Sequence, residues 1–240
     1  MRILITGATK GLGLVAAKHL ELQGHQLILH GRSERTLTEC KRALTHPEIH
    51  SILPLDFTHL AGWNAVIPEV DAVIHCAGGG LGLRGPLLTA SGLYDLFMTN
   101  LGGQAEINRM VLPGMMHDKR GYIVHVCSIA SGEAIGSVGY NTVKAALAAY
   151  VRSLGREMAP FGVVVSGISP GGFRSPQGAM ERLEAANPQA YADFASSRLP
   201  RGYMGQAEEL LPLIRLLTSP EGSMMGGCVV PIDAGEGHYY

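Results

Sequence analysis

The chain has 240 residues, 46 % of them hydrophobic, and 19 lysines and arginines against 20 aspartates and glutamates give a formal net charge of -1. That is ample apolar material for the core of an α/β domain of this length, while the scattered basic residues exclude the electrostatic footprint of a nucleic-acid binder. No stretch reaches the roughly 18 uninterrupted apolar residues of a membrane span and no apolar leader precedes the first strand, so the chain reads as soluble and cytoplasmic, with no membrane partner.

The first element is a strand, Arg2 to Thr6, a short apolar run that passes into Gly7-Ala8-Thr9-Lys10-Gly11-Leu12-Gly13 and then into a helix-like stretch from Leu14 to Gln23, closed by Gly24. Glycines in such a turn let the backbone approach a pyrophosphate, which the positive helix N-terminus attracts. A second strand, Gln26 to His30, completes a βαβ unit. After it comes Gly31-Arg32-Ser33, where a dinucleotide fold reads the adenosine ribose. An NAD site would want an acid there; Arg32 suits a 2′-phosphate instead, and Lys10 can reach the same phosphate.

Helix-like residues Thr36 to Leu44 lead to a third strand, Ser51 to Leu55, and to Asp56-Phe57. Asp56 can accept from an adenine amino group or cap the following turn. The crossover from Thr58 to Val70 is short, which predicts an abbreviated helix around Trp63. Ala72 to Cys76 is a fourth strand opening into Ala77-Gly78-Gly79-Gly80, bare backbone against which a ligand's ribose and ring can lie. The stretch from Leu87 to Met116 is helical in pattern, with breaks at Gly92 and at Gly102-Gly103. Asn100 stands inside it among apolar neighbours, either organising a site through a bound water or serving as a local kink or cap.

A fifth strand, Tyr122 to Cys127, ends at Ser128, whose hydroxyl can hold a substrate oxygen. Next comes a helix in which Tyr140 and Lys144 stand four apart and leave one face. A phenol has a reference pKa of roughly 10, and a neighbouring ammonium favours its ionised form, so Tyr140 can exchange a proton with that oxygen. A lone Tyr-x-x-x-Lys is usually a solvated helix face; here the rest of the chain gives it a context. A sixth strand, Val163 to Ile168, runs into Ser169-Pro170-Gly171-Gly172, and the polar, alanine-rich Met180 to Arg198 reads as a helical excursion over the carboxyl edge of the sheet, a lid around 174–200. A last helix, Ala207 to Leu217, precedes a seventh strand, Cys228 to Ile232.

The alternation is uninterrupted, so residues 1–240 are expected to form a single dinucleotide-binding and catalytic domain: an α/β, Rossmann-like, doubly wound seven-stranded parallel sheet with its site along the carboxyl edge. Cys40, Cys76, Cys127 and Cys228 form no CxxC and read as reduced structural thiols. The ten histidines are dispersed, so no metal is expected.

These motifs resemble the short-chain dehydrogenase/reductase family, in its compact single-domain form, over essentially the whole chain. Thr6-Gly7-Ala8-Thr9-Lys10-Gly11-Leu12-Gly13 matches the family's TGxxxGxG turn, and its catalytic tetrad carries over onto Asn100, Ser128, Tyr140 and Lys144. The resemblance implies Tyr140 as general acid/base, Ser128 positioning the reacting oxygen, Lys144 on the nicotinamide ribose and Asn100 holding a relay water. It implies a cofactor site drawn from Gly7, Thr9, Lys10, Gly11, Leu12, Gly13, Arg32, Asp56, Phe57, Ala77, Gly78, Tyr140, Lys144, Pro170, Gly171, Phe173 and Ser175. The activity implied is NADP(H)-dependent interconversion of a small ketone and a secondary alcohol by a homodimer or homotetramer packed through residues 101–118 and 140–158, and Arg84, Glu133, Arg174 and Gln177, able to put polar groups near the mouth, favour a hydroxylated, sugar-like ketone. Three positions depart from the family pattern. His75-Cys76-Ala77-Gly78 replaces NNAG, the loop between Ser128 and Tyr140 is one residue short and leaves Ser131 as an alternative, and Ser175 replaces a threonine. A catalytically silent NADP-binding sensor or scaffold and a sugar-nucleotide epimerase are the competing readings.

Overall fold

A computed structural model describes residues 1–59, 63 and 67–238. The strands of its main sheet are β1 (Arg2–Thr6), β2 (Gln26–Gly31), β3 (Ser51–Pro54), β4 (Ala72–His75), β5 (Gly121–Val126), β6 (Val163–Pro170) and, last in the chain, β9 (Val229–Ile232). All are parallel, in the order β3-β2-β1-β4-β5-β6-β9. The chain winds outward from β1 to β3, returns to β4 and winds the other way, so the carboxyl ends of β1 and β4 part at a topological switch point. The seven-stranded, doubly wound sheet expected from the alternation is what forms.

Both faces are apolar, as a parallel sheet buried on two sides requires. Ile3 and Ile5, Leu27 and Leu29, Ala72 and Ile74 point to one face, under α1 (Gly11–Leu22), α2 (Glu34–Arg42) and α8 (Leu211–Leu217). Their neighbours Leu4, Ile28 and Val73 point to the other, under α4 (Gly103–His117) and α5 (Val138–Met158). Ser33, Thr89 and Ser137 cap α2, α3 (Ala90–Phe97) and α5 through their side-chain oxygens.

Two expectations are corrected by packing. The run from Leu87 to Met116 is not broken where the glycines stand: the helix begins at Ala90, passes through Gly92, and at the second glycine pair makes a π turn, Met98–Gly102, that leads into α4. Gly103 is there because a Cβ would lie 2.0 Å from the Phe57 ring. The excursion over the sheet edge is two helices, α6 (Ala179–Ala186) and α7 (Pro188–Arg198), because Asn187 caps the second and Pro188 opens it. It is bracketed by a short parallel ladder, β7 (Phe173–Arg174) with β8 (Gly205–Gln206), and has its own small core of Ala195, Leu199 and Met204 with Met180, Tyr191 and Phe194. The helix expected around Trp63 lies mostly outside the described residues; Trp63 itself packs with its ring 5.8 Å from that of Phe57.

Candidate active site

At the switch point the glycine turn, the exit from β4 and the start of α1 touch backbone to backbone. Gly7 has φ +66°, and a Cβ on it would lie 2.9 Å from Ala77; one on Gly13 would lie 2.4 Å from the Gly7 carbonyl oxygen. No side chain fits. Gly11 also needs its positive φ, +61°. Helix α1 has Lys10 at its N-cap and no side-chain cap, unlike α2, α3 and α5, so the positive end of its dipole is left for a ligand or the main chain to satisfy. The amide of Gly11 donates to the Pro176 carbonyl at 2.7 Å, which ties the start of the excursion to the turn. Leu12 packs its side chain into the core, so only its backbone is available to a ligand.

At the end of β2 a side chain in place of Gly31 would press on its neighbours. A Cβ on Gly31 would sit 3.2 Å from the Thr9 methyl and 3.3 Å from Leu37, while Arg32 beyond it is exposed, as is Lys10. Asp56 turns its Oδ1 inward to accept from the Thr58 amide at 2.9 Å and hydroxyl at 2.8 Å, the turn-capping alternative. Desolvation pushes its pKa up, but the Thr58 hydrogen bonds with the Arg32 and His59 charges outweigh this and hold it below the usual carboxylate value. Phe57 is buried, stacked on His30 with centroids 4.5 Å apart, so its side chain is core and only its backbone borders the cleft.

Four expected residues converge across the β4 exit. Asn100, fully buried in the π turn, accepts from the Gly79 amide at 2.9 Å and donates to the Gly79 carbonyl at 3.0 Å and to Leu96 O at 2.9 Å. Lys144, 3 % exposed, donates from Nζ to the carbonyl of Val126 at 2.8 Å and stands 5.7 Å from the centroid of the Tyr140 ring. Gly78 lies between: a Cβ there would be 2.8 Å from Asn100 Oδ1 and 3.5 Å from Lys144 Nζ. Tyr140 is half-buried in the first turn of α5.

Ser128 follows β5, its Oγ accepting from the Ala130 amide at 3.1 Å and its carbonyl accepting from Ser169 Oγ at 3.1 Å. Ser131 Oγ, the alternative, is enclosed and has no hydrogen-bond partner among the described residues. On the far side, Pro170 ends β6, Gly171 admits no Cβ beside Asp233 and Glu236, Phe173 packs against the core, and Ser175 lies against the glycine turn, its Oγ 3.7 Å from where a Gly11 Cβ would be. Burial drives the Cys127 thiol up to about 11, the state of an inert structural cysteine.

Sequence reasoning missed Glu236, whose carboxylate accepts from the Gly172 amide at 2.5 Å and pairs with Arg198 at 3.3 Å, tying both ends of the excursion together. It also missed Gln104 and Asn108, although their four-residue spacing from Asn100 on one helix is visible in the sequence. Among the described residues no group of three or more His, Cys, Asp or Glu is arranged to hold a metal ion, and no helix is long and apolar enough to cross a membrane.

Comparison with known proteins matches residues 1–186 to the family model "short chain dehydrogenase". Gluconate 5-dehydrogenase of Gluconobacter oxydans (strain 621H) is 29 % identical over 246 aligned positions, covering 98 % of this chain and 93 % of that protein. A solved short chain dehydrogenase/reductase family protein superposes with a TM-score of 0.84 at 26 % identity, over 98 % of this chain and 96 % of that one. A 3-oxoacyl (acyl-carrier-protein) reductase from Agrobacterium tumefaciens C58, solved with NADP bound, has the same fold: TM-score 0.86, 23 % identity, 98 % and 93 % coverage.

Proposed function

This chain belongs to the short-chain dehydrogenase family, a family of oxidoreductases, and on that premise we propose that it is an NADP-dependent carbonyl reductase, or the reverse alcohol dehydrogenase, with Tyr140 as its general acid/base. The observation that carries the reading is the convergence on Gly78, whose bare α-carbon is flanked by Asn100 and Lys144 one helical turn from Tyr140. The residues fit a dinucleotide. Gly7 and Gly13 pack backbone to backbone against Ala77 and Gly7, with no room for a Cβ, and this close packing brings the N-terminus of α1, which has no side-chain cap, to the switch point where a pyrophosphate would lie.

When bound, the nicotinamide supplies or accepts the hydride at the substrate carbon. Tyr140 delivers a proton to the carbonyl oxygen, or withdraws it from the alcohol in the reverse direction. Ser128 Oγ donates a hydrogen bond to that oxygen. Lys144 has one N–H fixed by Val126 and two more for a ribose hydroxyl. Asn100 spends both N–H groups on Leu96 and Gly79, so it shapes the cleft, with one remaining lone pair on Oδ1 for a relay water.

Lys10 and Arg32, both exposed, form the 2′-phosphate site and give the preference for NADP, since Gly31 supplies no acid for the ribose and a side chain there would press on Thr9 and Leu37. The excursion at 174–200 is a lid over the substrate. Arg174 is held by Glu184 at 2.8 Å and Glu181 at 3.6 Å, so it braces the lid instead of meeting substrate. A small polyhydroxylated ketone is the favoured substrate class, in keeping with the relative named gluconate 5-dehydrogenase. A homodimer or homotetramer packed through α4 and α5 completes the reading, and sedimentation tests it. The functional test is NADPH oxidation across keto-sugar acids, cyclic ketones and β-ketoacyl thioesters by wild type and Tyr140→Phe. Equal rates on a genuine substrate would refute the role of Tyr140, and tight NADPH binding without turnover on any ketone would favour a sensor.

A further inference from the structure

The centre of the sheet holds a row of polar side chains that the mechanism does not use. Thr6, His75 and His125 are register partners on the adjacent strands β1, β4 and β5, all fully buried, and the two imidazoles stack with centroids 4.5 Å apart. Opposite them α4 presents Gln104 and Asn108, also fully buried. Polar groups so far from water persist only when each finds a partner, and here they do so in one sense.

The carbonyl of Ala77 can only accept, so Gln104 must face it with Nε2, at 2.8 Å. Gln104 Oε1 then faces His125 Nδ1 at 2.7 Å, which must carry the proton. His125 Nε2 therefore accepts, and Asn108 donates to it from Nδ2 at 3.2 Å and to the Tyr150 hydroxyl at 3.1 Å. Asn108 Oδ1 is left to accept from His75 Nε2 at 2.9 Å, and His75 Nδ1 accepts from Thr6 Oγ1 at 3.5 Å. Thr6 Oγ1 in turn accepts from the amide of Ala77 at 3.1 Å. The path leaves Ala77 by its carbonyl and returns by its N–H, with one proton on each imidazole. A second proton on His125 would confront the Asn108 amide, and turning that amide over would confront His75. Lys144 and Tyr150 from α5 and His30 from β2 are titratable neighbours; Lys144 and His30 disfavour a charge on the pair, and the Tyr150 hydroxyl, held neutral by burial, accepts from Asn108.

We propose that this closed ring is the positioning device of the cofactor cleft. It fixes Ala77 at both of its backbone polar groups while Asn100 fixes Gly79 at both of its own, so that the strap Ala77–Gly79 is clamped at each end and Gly78 is presented between Asn100 and Lys144. Gln104, Asn108, His75, His125 and Thr6 are positioning residues that touch neither cofactor nor substrate. That the strap receives a nicotinamide nucleotide rests on the proposed function; that the ring holds the strap does not.

The test uses the full chain in three variants: Gln104→Met, which removes the contact to the Ala77 carbonyl; Thr6→Val, which removes the acceptor of its N–H; and Val111→Ala, a core change on the same helix outside the ring. NADPH dissociation constants, steady-state constants, thermal midpoints and hydrogen exchange are measured on each. Expected for Gln104→Met and Thr6→Val is a rise of about tenfold in NADPH Kd and KM with kcat nearly unchanged, and faster exchange confined to residues 77–80. Val111→Ala should lower the thermal midpoint with neither effect. If Gln104→Met does not fold, Thr6→Val carries the test alone. Wild-type exchange across 77–80 in the ring variants, with only the thermal midpoint lowered, would overturn the proposal. Should the wild type bind neither NADPH nor NADH, the functional reading fails separately and the exchange pattern still decides the ring.

Discussion

Lys144 Nζ is fixed 5.7 Å from the centroid of the Tyr140 ring by a 2.8 Å hydrogen bond to the carbonyl of Val126, the last residue of β5. The ammonium is thus held by the sheet, and in the proposed mechanism Tyr140 carries the proton. Tyr140→Phe should lower kcat by roughly 10²–10⁴-fold, the usual worth of a positioned acid/base, and leave NADPH binding within a few-fold of wild type. Lys144→Met should lower both, because it removes the donor to the ribose as well as the charge beside the phenol. Single-turnover NADPH absorbance and fluorescence titration separate the two effects; a Tyr140→Phe enzyme with wild-type kcat ends the assignment.

Cofactor preference is expected to reside in Arg32 more than in Lys10, because Gly31 beside it leaves no room for a competing acid without displacing Thr9 or Leu37. Loss of a charge-assisted hydrogen bond to phosphate costs about 1.5–3 kcal/mol, or roughly 10- to 150-fold in affinity. Arg32→Asp should therefore raise the NADPH Kd by that factor and leave NADH binding unchanged or improved. The ratio of the two KM values for wild type and variant is the measurement, and a ratio that does not move removes the phosphate contact.

The seven parallel strands of the doubly wound sheet were legible because they depend on local pattern, apolar runs of strand length and a glycine turn after the first, and the same kind of pattern singled out a tyrosine and a lysine one turn apart. What was illegible depends on contacts distant in sequence. Gly102 and Gly103 read as a helix break, yet Gly103 is a space for Phe57, forty-odd residues earlier, and the chain stays helical through a π turn. His75 and His125 read as isolated histidines until β4 and β5 pair them in register. Glu236 gave no signal at all, since its partners Gly172 and Arg198 are brought to it only by the fold.

Glu236 is expected to control the lid. The residue is 5 % exposed, and its carboxylate joins Gly172, at the start of the excursion, to Arg198, at the end of α7. Glu236→Gln keeps the shape and removes the charge, weakening both contacts by about 1–3 kcal/mol together. The lid should open more often, giving a several-fold rise in substrate KM with a smaller change in kcat and faster proteolysis between residues 174 and 200. Unchanged KM and unchanged cleavage there would mean that Glu236 only braces the C-terminal segment.

Acid sensitivity follows from three buried imidazoles. Desolvation lowers His30 to about 4 and His75 to about 3 from an ordinary 6.5, and lowers His125 well below it. Above pH 6.5 these sites are neutral in both folded and unfolded chains and nothing is lost. Below it the unfolded chain binds protons that the folded one refuses, so stability falls as pH falls, by up to about 1.4 kcal/mol per unit for each histidine. At pH 5 that is about 2 kcal/mol each for His30 and His75, and His125 acts in the same direction. Among the described residues His30 differs from the other two in that its ring nitrogens make no well-formed hydrogen bond, only a weaker interaction with the Leu55 backbone, and it is stacked on Phe57. His30→Phe should keep the stack, stabilise the protein modestly at pH 7.5 and by about 2 kcal/mol more at pH 5. Urea unfolding of wild type and variant at the two pH values measures this, and an identical loss of stability between them would show that His30 takes up its proton in the folded state.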